Sequence, residues 1–208
     1  VYLLCGFVCV LFFKQKPAYV IVFGDLRSDV CSSDLLISTG DLLLFRGSRL
    51  IAACGRSEFS HAAMAVWWGD VLMCVEVREW YGGRAVTLSS QVRKYTGSVA
   101  WLPVDTDRWP EWDGGKAADS MIRLAGCPYG WHNIALASLW HLPIVRLTLK
   151  PQREREHIDR RPPFCSMAYS LAAHIGGVDP VPNLIDRLTE PADLERSEIG
   201  RASCRERV

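Results

Sequence analysis

Apolar positions fall into short continuous runs in the first half of the chain and into helical spacing in the second. Gly40-Asp41-Leu42-Leu43-Leu44-Phe45-Arg46-Gly47 is an apolar stretch bounded by turn residues, the pattern of a buried strand. Residues 48–58 read as a helix or loop leading to Phe59-Ser60-His61. Ala62–Trp68 and Val71–Val77 are β-rich runs separated by Gly69-Asp70, which predicts a hairpin with a two-residue loop. Ala85–Leu88 and Val99–Val104 read as further strands, with a short helix over Ser89–Tyr95 between them. After Pro110 the spacing turns helical. Ala117, Met121, Leu124 and Ala125 predict a helix over 116–125 that Gly126 stops, and Asn133–Trp140 predicts another before Pro143. Residues 150–163 are charged and flanked by proline, hence a surface loop. Phe164–Ile175 places Met167, Ala168, Leu171, Ala172 and Ile175 on one helical face, and Gly176-Gly177 end it. Strands first and helices after them predict an α+β domain.

The two ends break this pattern. Val1–Phe13 is apolar and then turns charged at Lys14-Gln15-Lys16. Such a run is short of the roughly 20 residues a membrane helix needs, so no stable membrane span is expected. It also lacks the basic leader and small-residue cleavage site of a signal peptide. Residues 12–35 and the tail 198–208 resemble translated sequencing-library adapter. The expected organisation is therefore a non-native leader over 1–35, one domain over 36–196 and a non-native tail over 197–208.

Composition then changes the picture only a little. A chain of 208 residues with 49% hydrophobic and 23% charged positions suits a single packed domain and argues against wholesale disorder. A formal net charge of +1 gives no electrostatic reason to expect nucleic acid as a partner. Setting the ends aside reduces eight cysteines to Cys54, Cys74, Cys127 and Cys165, scattered and without a CxxC pair. A zinc site from Cys54, Cys74, Cys127 and histidines is disfavoured because these positions fall on separate elements, and no metal or other cofactor is expected.

Cys165 stands in the first turn of the last long helix, after Pro162-Pro163. Free backbone N–H groups and the positive end of the helix dipole favour a thiolate there and can receive an oxyanion. Position alone also suits an ordinary buried cysteine. A nucleophilic thiol needs a base. His174 lies nine residues along the same helix, about 13 Å away at 1.5 Å per residue, too far to serve. His157 lies in the charged loop, and His132 and His141 flank an apolar helix. His61 opens a strand just after a turn, where an imidazole can project into a cleft.

The hairpin register supplies a third group. With Gly69 and Asp70 as the loop, Trp68 faces Val71 and His61 falls opposite Arg78. His61 and Glu76 then share a face as diagonal neighbours, about 7–8 Å apart at Cα and within side-chain reach. A carboxylate there can orient the imidazole and stabilise its protonated form. A three-residue loop would put Glu76 on the other face and leave Glu79 as the orienter. Glu76 could equally pair with Arg78 or Arg84 and have no further role.

The succession Gly40-Asp41-Leu42-Leu43-Leu44-Phe45, Ser60-His61-Ala62, Val75-Glu76-Val77, Pro128-Tyr129-Gly130 and Phe164-Cys165-Ser166 resembles the permuted papain-like enzymes. These are the YiiX-like members of the NlpC-type superfamily, related to the lecithin–retinol acyltransferase group. The ending Glu190-Pro191-Ala192-Asp193-Leu194 is similar to the family's tail, so the resemblance covers nearly all of 37–196. It implies an antiparallel sheet or small barrel packed against helices, with Cys165 as nucleophile, His61 as base and Glu76 as third member. Met167 departs from the family, which often carries an acidic residue soon after Cys-Ser.

The resemblance implies a cysteine hydrolase that cleaves an amide or (thio)ester through an acyl-enzyme. Its substrate would be a peptide, a cell-wall peptide or a lipid-linked amide. Trp80 and Tyr81, just past the hairpin, and Tyr129 are the expected substrate contacts. One alternative on the same fold is an acyltransferase, although such members typically carry a second histidine where this chain has Glu76. A non-catalytic binding module is the other. The compartment, cytoplasmic or envelope-associated, does not follow from these residues.

Overall fold

The computed structural model describes residues 19–21, 37–46, 57–94, 99–139 and 162–199. Its strands are β1 (Tyr19–Ile21), β2 (Leu42–Phe45), β3 (His61–Trp68), β4 (Val71–Arg78), β5 (Gly82–Thr87) and β6 (Val99–Leu102). Its helices are α1 (Leu88–Lys94), α2 (Gly114–Ile122), α3 (Trp131–Leu139), α4 (Cys165–Ile175) and α5 (Pro191–Arg196), with a 3₁₀ turn at Asp186–Leu188 before α5.

The fold is α+β, as the order of patterns predicts. The strands form one antiparallel sheet in the order β1-β6-β2-β3-β4-β5. It is open: β1 and β5 are its edges and do not pair with each other, so the small barrel among the expectations is not formed by the described strands. Leu42 and Leu44 belong to one apolar cluster, with α2 and α4, whereas Leu43 and Phe45 belong to a second, with Trp101 and Leu88 of α1. The two-residue period of a strand sends alternate side chains to opposite faces, and here both faces are covered. That explains why β2 is apolar at every position and not at alternate ones.

The hairpin has the expected two-residue loop, with Trp68 opposite Val71 and Met64 opposite Val75. Helix bounds differ modestly from the pattern. Leu88 opens α1 and does not end β5. α2 begins at Gly114, where the Asp113 side chain accepts a 2.9 Å bond from the Lys116 N–H and caps the first turn.

α4 is the central helix. It packs against β3, β4, α2, α5 and the 3₁₀ turn. Its burial is not the single stripe that the spacing predicts: Ser166, Tyr169, Ser170 and Ala173 are buried as well, and Ile175 is exposed. The polar members are satisfied, Ser166 donating to the Thr189 carbonyl at 2.8 Å and Ser170 to Asp186 at 2.5 Å. Tyr169 donates to the Gly40 carbonyl at 3.1 Å. Asp41 is buried too, accepting from the Ser38 N–H at 2.8 Å, Trp101 Nε1 at 2.7 Å and the Val104 N–H at 3.1 Å. The Gly-Asp pair before β2 therefore ties β2 to β6.

Packing runs past both expected boundaries. β1, from the segment set aside at the amino end, pairs with Val99–Trp101. At the other end Ile199 is fully buried and its carbonyl accepts from the Asp105 N–H at 3.1 Å. The predicted loop over 150–163, apart from Pro162 and Pro163, and the helix or loop over 48–56 lie outside the described residues, as do Cys54, His141 and His157. Among the described residues no helix is long and apolar enough to cross a membrane.

Candidate active site

Three elements converge on one buried point. His61 opens β3, Glu76 lies near the end of β4, and Cys165 is the first residue of α4; all three side chains are almost fully buried. The register puts His61 and Glu76 on the same face, and His61 Nε2 meets Glu76 Oε2 at 2.6 Å. Glu76 is thus the carboxylate on the imidazole, and Glu79 is not. The other ring nitrogen, Nδ1, is buried without an ordinary hydrogen-bond partner. Cys165 is the group acting on the ring besides Glu76.

The electrostatics are those of a coupled line of groups. Burial by itself pushes His61 down; against that, the neighbouring Cys165 and the hydrogen-bonded carboxylate of Glu76 push it up, to about 10. Burial pushes Glu76 up, but hydrogen bonding and charge from His61 and Arg84 outweigh it and hold Glu76 at about 2. Imidazolium and carboxylate are consequently the stable forms near neutral pH.

Glu76 has several partners at once. Arg84 reaches its Oε1 through Nε at 2.8 Å and Nη2 at 2.5 Å. Gln91 Nε2, from α1, donates to both oxygens at 3.2 and 3.3 Å. Arg78 stands 3.8 Å away. The alternative in which Glu76 pairs with an arginine and the one in which it serves His61 are therefore both realised, one on each oxygen. Gln91 was missed by sequence reasoning. Arg84 carried a usable signal, since it lies directly across from Glu76 in the β4–β5 ladder.

At Cys165 the helix begins without a side-chain cap: Phe164 takes an extended conformation at the cap position and makes no side-chain bond. The first N–H groups of α4 therefore receive no side-chain cap and lie at the end of the helix that carries the thiol.

Tyr129 is brought to the site by backbone contacts. A Cβ at Gly83 would lie 1.8 Å from the Leu124 carbonyl oxygen, and one at Gly130 would lie 2.2 Å from the Pro162 carbonyl oxygen. Only glycine permits these approaches, across which the Gly83 N–H donates to Cys127 at 2.8 Å and the Gly130 N–H to Pro163 at 3.0 Å. Tyr129 between them is buried, its hydroxyl without a partner of ordinary geometry. It lies close enough to Cys165 for burial, that thiol and the charge of Glu79 to push its ionisation well up.

From Tyr129 an aromatic series leads outward. Its ring packs on Trp131 at 4.9 Å between centroids, and Trp131 packs on Trp80 at 5.0 Å. Trp80 is 86% exposed and sits at φ +68°, a conformation that costs a non-glycine residue about 1–3 kcal/mol. Tyr81 lies just past the hairpin, where the sequence places it. It is exposed, and its ring lies 4.4 Å from the Arg84 guanidinium, so its observed contact is with the arginine that holds Glu76.

His174 is placed away from the thiol, as the reach argument requires, and bonds instead with Asp179 at 3.3 Å and Asp186 at 3.2 Å. Cys74 and Cys127 are free thiols, and the described residues contain no cluster of His, Cys, Asp and Glu able to hold a metal. No protein-family model matches this chain, and no curated protein does.

Proposed function

We propose that this domain is a cysteine-dependent hydrolase that cleaves an amide or (thio)ester bond through an acyl-enzyme. The observation that carries the reading is the buried line Cys165–His61–Glu76, at an uncapped helix start. Cys165, as thiolate, attacks the substrate carbonyl carbon, and the developing oxyanion lies at the first N–H groups of α4. His61 gives its proton to the departing amine, alcohol or thiol as the carbonyl reforms, leaving a thioester on Cys165. Water then enters, His61 takes its proton, and the acid leaves as the thiolate is restored. Glu76 orients His61 through Nε2, which leaves Nδ1 as the ring nitrogen that exchanges the proton.

Our reading of the family is a permuted papain-like, YiiX-like enzyme. It rests on the order of the groups, histidine on an early strand and cysteine opening a late helix, together with the antiparallel sheet that α4 packs against. Substrates of this reading are peptides, cell-wall peptides or lipid-linked amides. Trp80, Tyr81 and Tyr129 are its substrate contacts, two of them supported by the aromatic series that starts beside Cys165.

A thiol-directed acylating probe tests this at pH 7, with labelled cysteines identified by peptide mapping. The expected result is labelling of Cys165 well before Cys74 or Cys127, lost in His61→Ala. Equal labelling of the three thiols, or labelling of Cys165 indifferent to His61→Ala, would overturn the proposal.

A further inference from the structure

The carboxylate that orients His61 is itself held, and the holder is specific. Arg84 stands opposite Glu76 on β5 and approaches Oε1 with two nitrogens, Nε and Nη2, while Oε2 is left for the imidazole. Gln91 of α1 spans both oxygens and closes the remaining side. The outer face of the guanidinium carries the Tyr81 ring at 4.4 Å, so the arginine is clamped between a carboxylate and an aromatic plane. Arg78 is farther, at 3.8 Å, and cannot replace this double contact.

We propose that Arg84 is a positioning residue that sets the basicity of His61, fixing the rotation of the Glu76 carboxylate and sharing its charge. This rests on the proposed function. Without Arg84 the carboxylate could turn about its last bond and would place its full charge on the imidazole. With it, the imidazolium faces a carboxylate partly compensated by a neighbouring cation. The thiolate–imidazolium pair is then held less tightly, and His61 is freer to release its proton to a leaving group. The charged and titratable groups around this line are Cys165 on His61, then Arg78, Arg84 and Cys74 around Glu76, with Tyr129 and Glu79 on the cysteine side.

The test is the rate of Cys165 alkylation by iodoacetamide as a function of pH, in the full chain. The wild type is expected to show a His61-dependent reactive plateau that ends on the alkaline side where the imidazolium loses its proton. Arg84→Met and Arg84→Gln remove a cation beside Glu76, which favours the imidazolium, so the alkaline midpoint should rise by about one pH unit. Arg84→Lys keeps the charge and loses the fork. Its alkaline midpoint should stay near the wild type while the plateau rate falls several-fold.

A merely structural role would lower thermal stability in all three variants and move no midpoint. Unmoved midpoints in the folded Met and Gln variants therefore overturn the proposal. Should those two fail to fold, an unchanged plateau rate in Arg84→Lys does so. Failure of the underlying reading looks different: the wild type itself would show a single thiol step, indifferent to His61→Ala.

Discussion

Glu76→Gln keeps the shape of the side chain and removes its charge. In the folded protein Glu76 is buried and accepts from His61 at 2.6 Å, from Arg84 at 2.5 and 2.8 Å and from Gln91 at 3.2 and 3.3 Å. Glutamine leaves an imidazolium and a guanidinium without their counter-charge. Breaking one side of a buried pair costs about 3–5 kcal/mol. The Arg84 side chain is 26% exposed and can turn partly to water, which favours the lower end, about 3 kcal/mol. His61 stands at about 10 because Cys165 and Glu76 both raise it against burial. With the Glu76 contribution gone, the alkaline midpoint of the thiolate–imidazolium plateau should fall by about two units. At 1.36 kcal/mol per unit that is about 3 kcal/mol of lost ion-pair stabilisation. An attack that depends on an oriented imidazole should slow by about a hundredfold, less than in a triad whose hydroxyl must be deprotonated during attack. Iodoacetamide alkylation against pH reads the midpoint, and urea unfolding at pH 6 reads the stability. An alkaline midpoint equal to that of the wild type would refute the claim that Glu76 acts on His61.

Tyr129→Phe removes a buried hydroxyl that has no ordinary partner, so stability by urea unfolding should hold or rise by up to about 1 kcal/mol. Acylation of Cys165 should nonetheless slow about ten- to a hundredfold, because the hydroxyl is lost beside the reacting sulfur. Trp80→Gly should relieve the backbone strain at φ +68° and leave thermal stability unchanged or slightly higher, while KM for an acyl substrate rises with little change in kcat. The wild-type stability should depend on pH at both ends. His61, raised from 6.5 to about 10, contributes stability that is fully present below about 6.5 and is lost as pH rises through about 10. Glu76, lowered from 4.5 to about 2, contributes stability that is present above about 4.5 and is lost as pH falls through about 2. Urea midpoints measured across this range check both limbs, and His61→Ala should flatten the alkaline one.

What could be read from the sequence was set by parity. Once Gly69-Asp70 is taken as a two-residue loop, each residue of β3 and β4 has a determined face, and His61 and Glu76 fall together. The position of Cys165 is similarly local, because Pro162-Pro163 before an apolar helical period mark where α4 starts. Sheet closure is a different matter. It depends on whether the outer edges of the terminal strands meet, and no periodicity within a strand carries that information. Nor could the burial of α4 on nearly every side be read from its apolar stripe. Ser166 and Ser170 are tolerated inside because Thr189 and Asp186, some twenty residues on, offer acceptors when the 3₁₀ turn folds back.

The same distinction separates the groups of the site. Arg84 faces Glu76 by register, and the β4–β5 turn makes that pairing recoverable in principle, as an opposite charge directly across a ladder. Gln91 arrives only because α1 lies across the sheet, and Tyr129 only because Gly83 and Gly130 let two backbone segments come within the radius of a methyl group. Those glycines look like ordinary turn residues in the sequence. Their function is steric, and it appears only against the carbonyls of Leu124 and Pro162 that they admit. A chain can therefore display its candidate nucleophile and base through local pattern while hiding the groups packed around them, since those depend on contacts between distant segments. Gly130→Ala tests that argument directly. It should force the Tyr129 segment away from Pro162 and Pro163, costing about 1–3 kcal/mol in urea unfolding. It should also lower the acylation rate of Cys165 as much as Tyr129→Phe does. A variant that loses stability yet acylates at the wild-type rate would show that Tyr129 has no part in the chemistry.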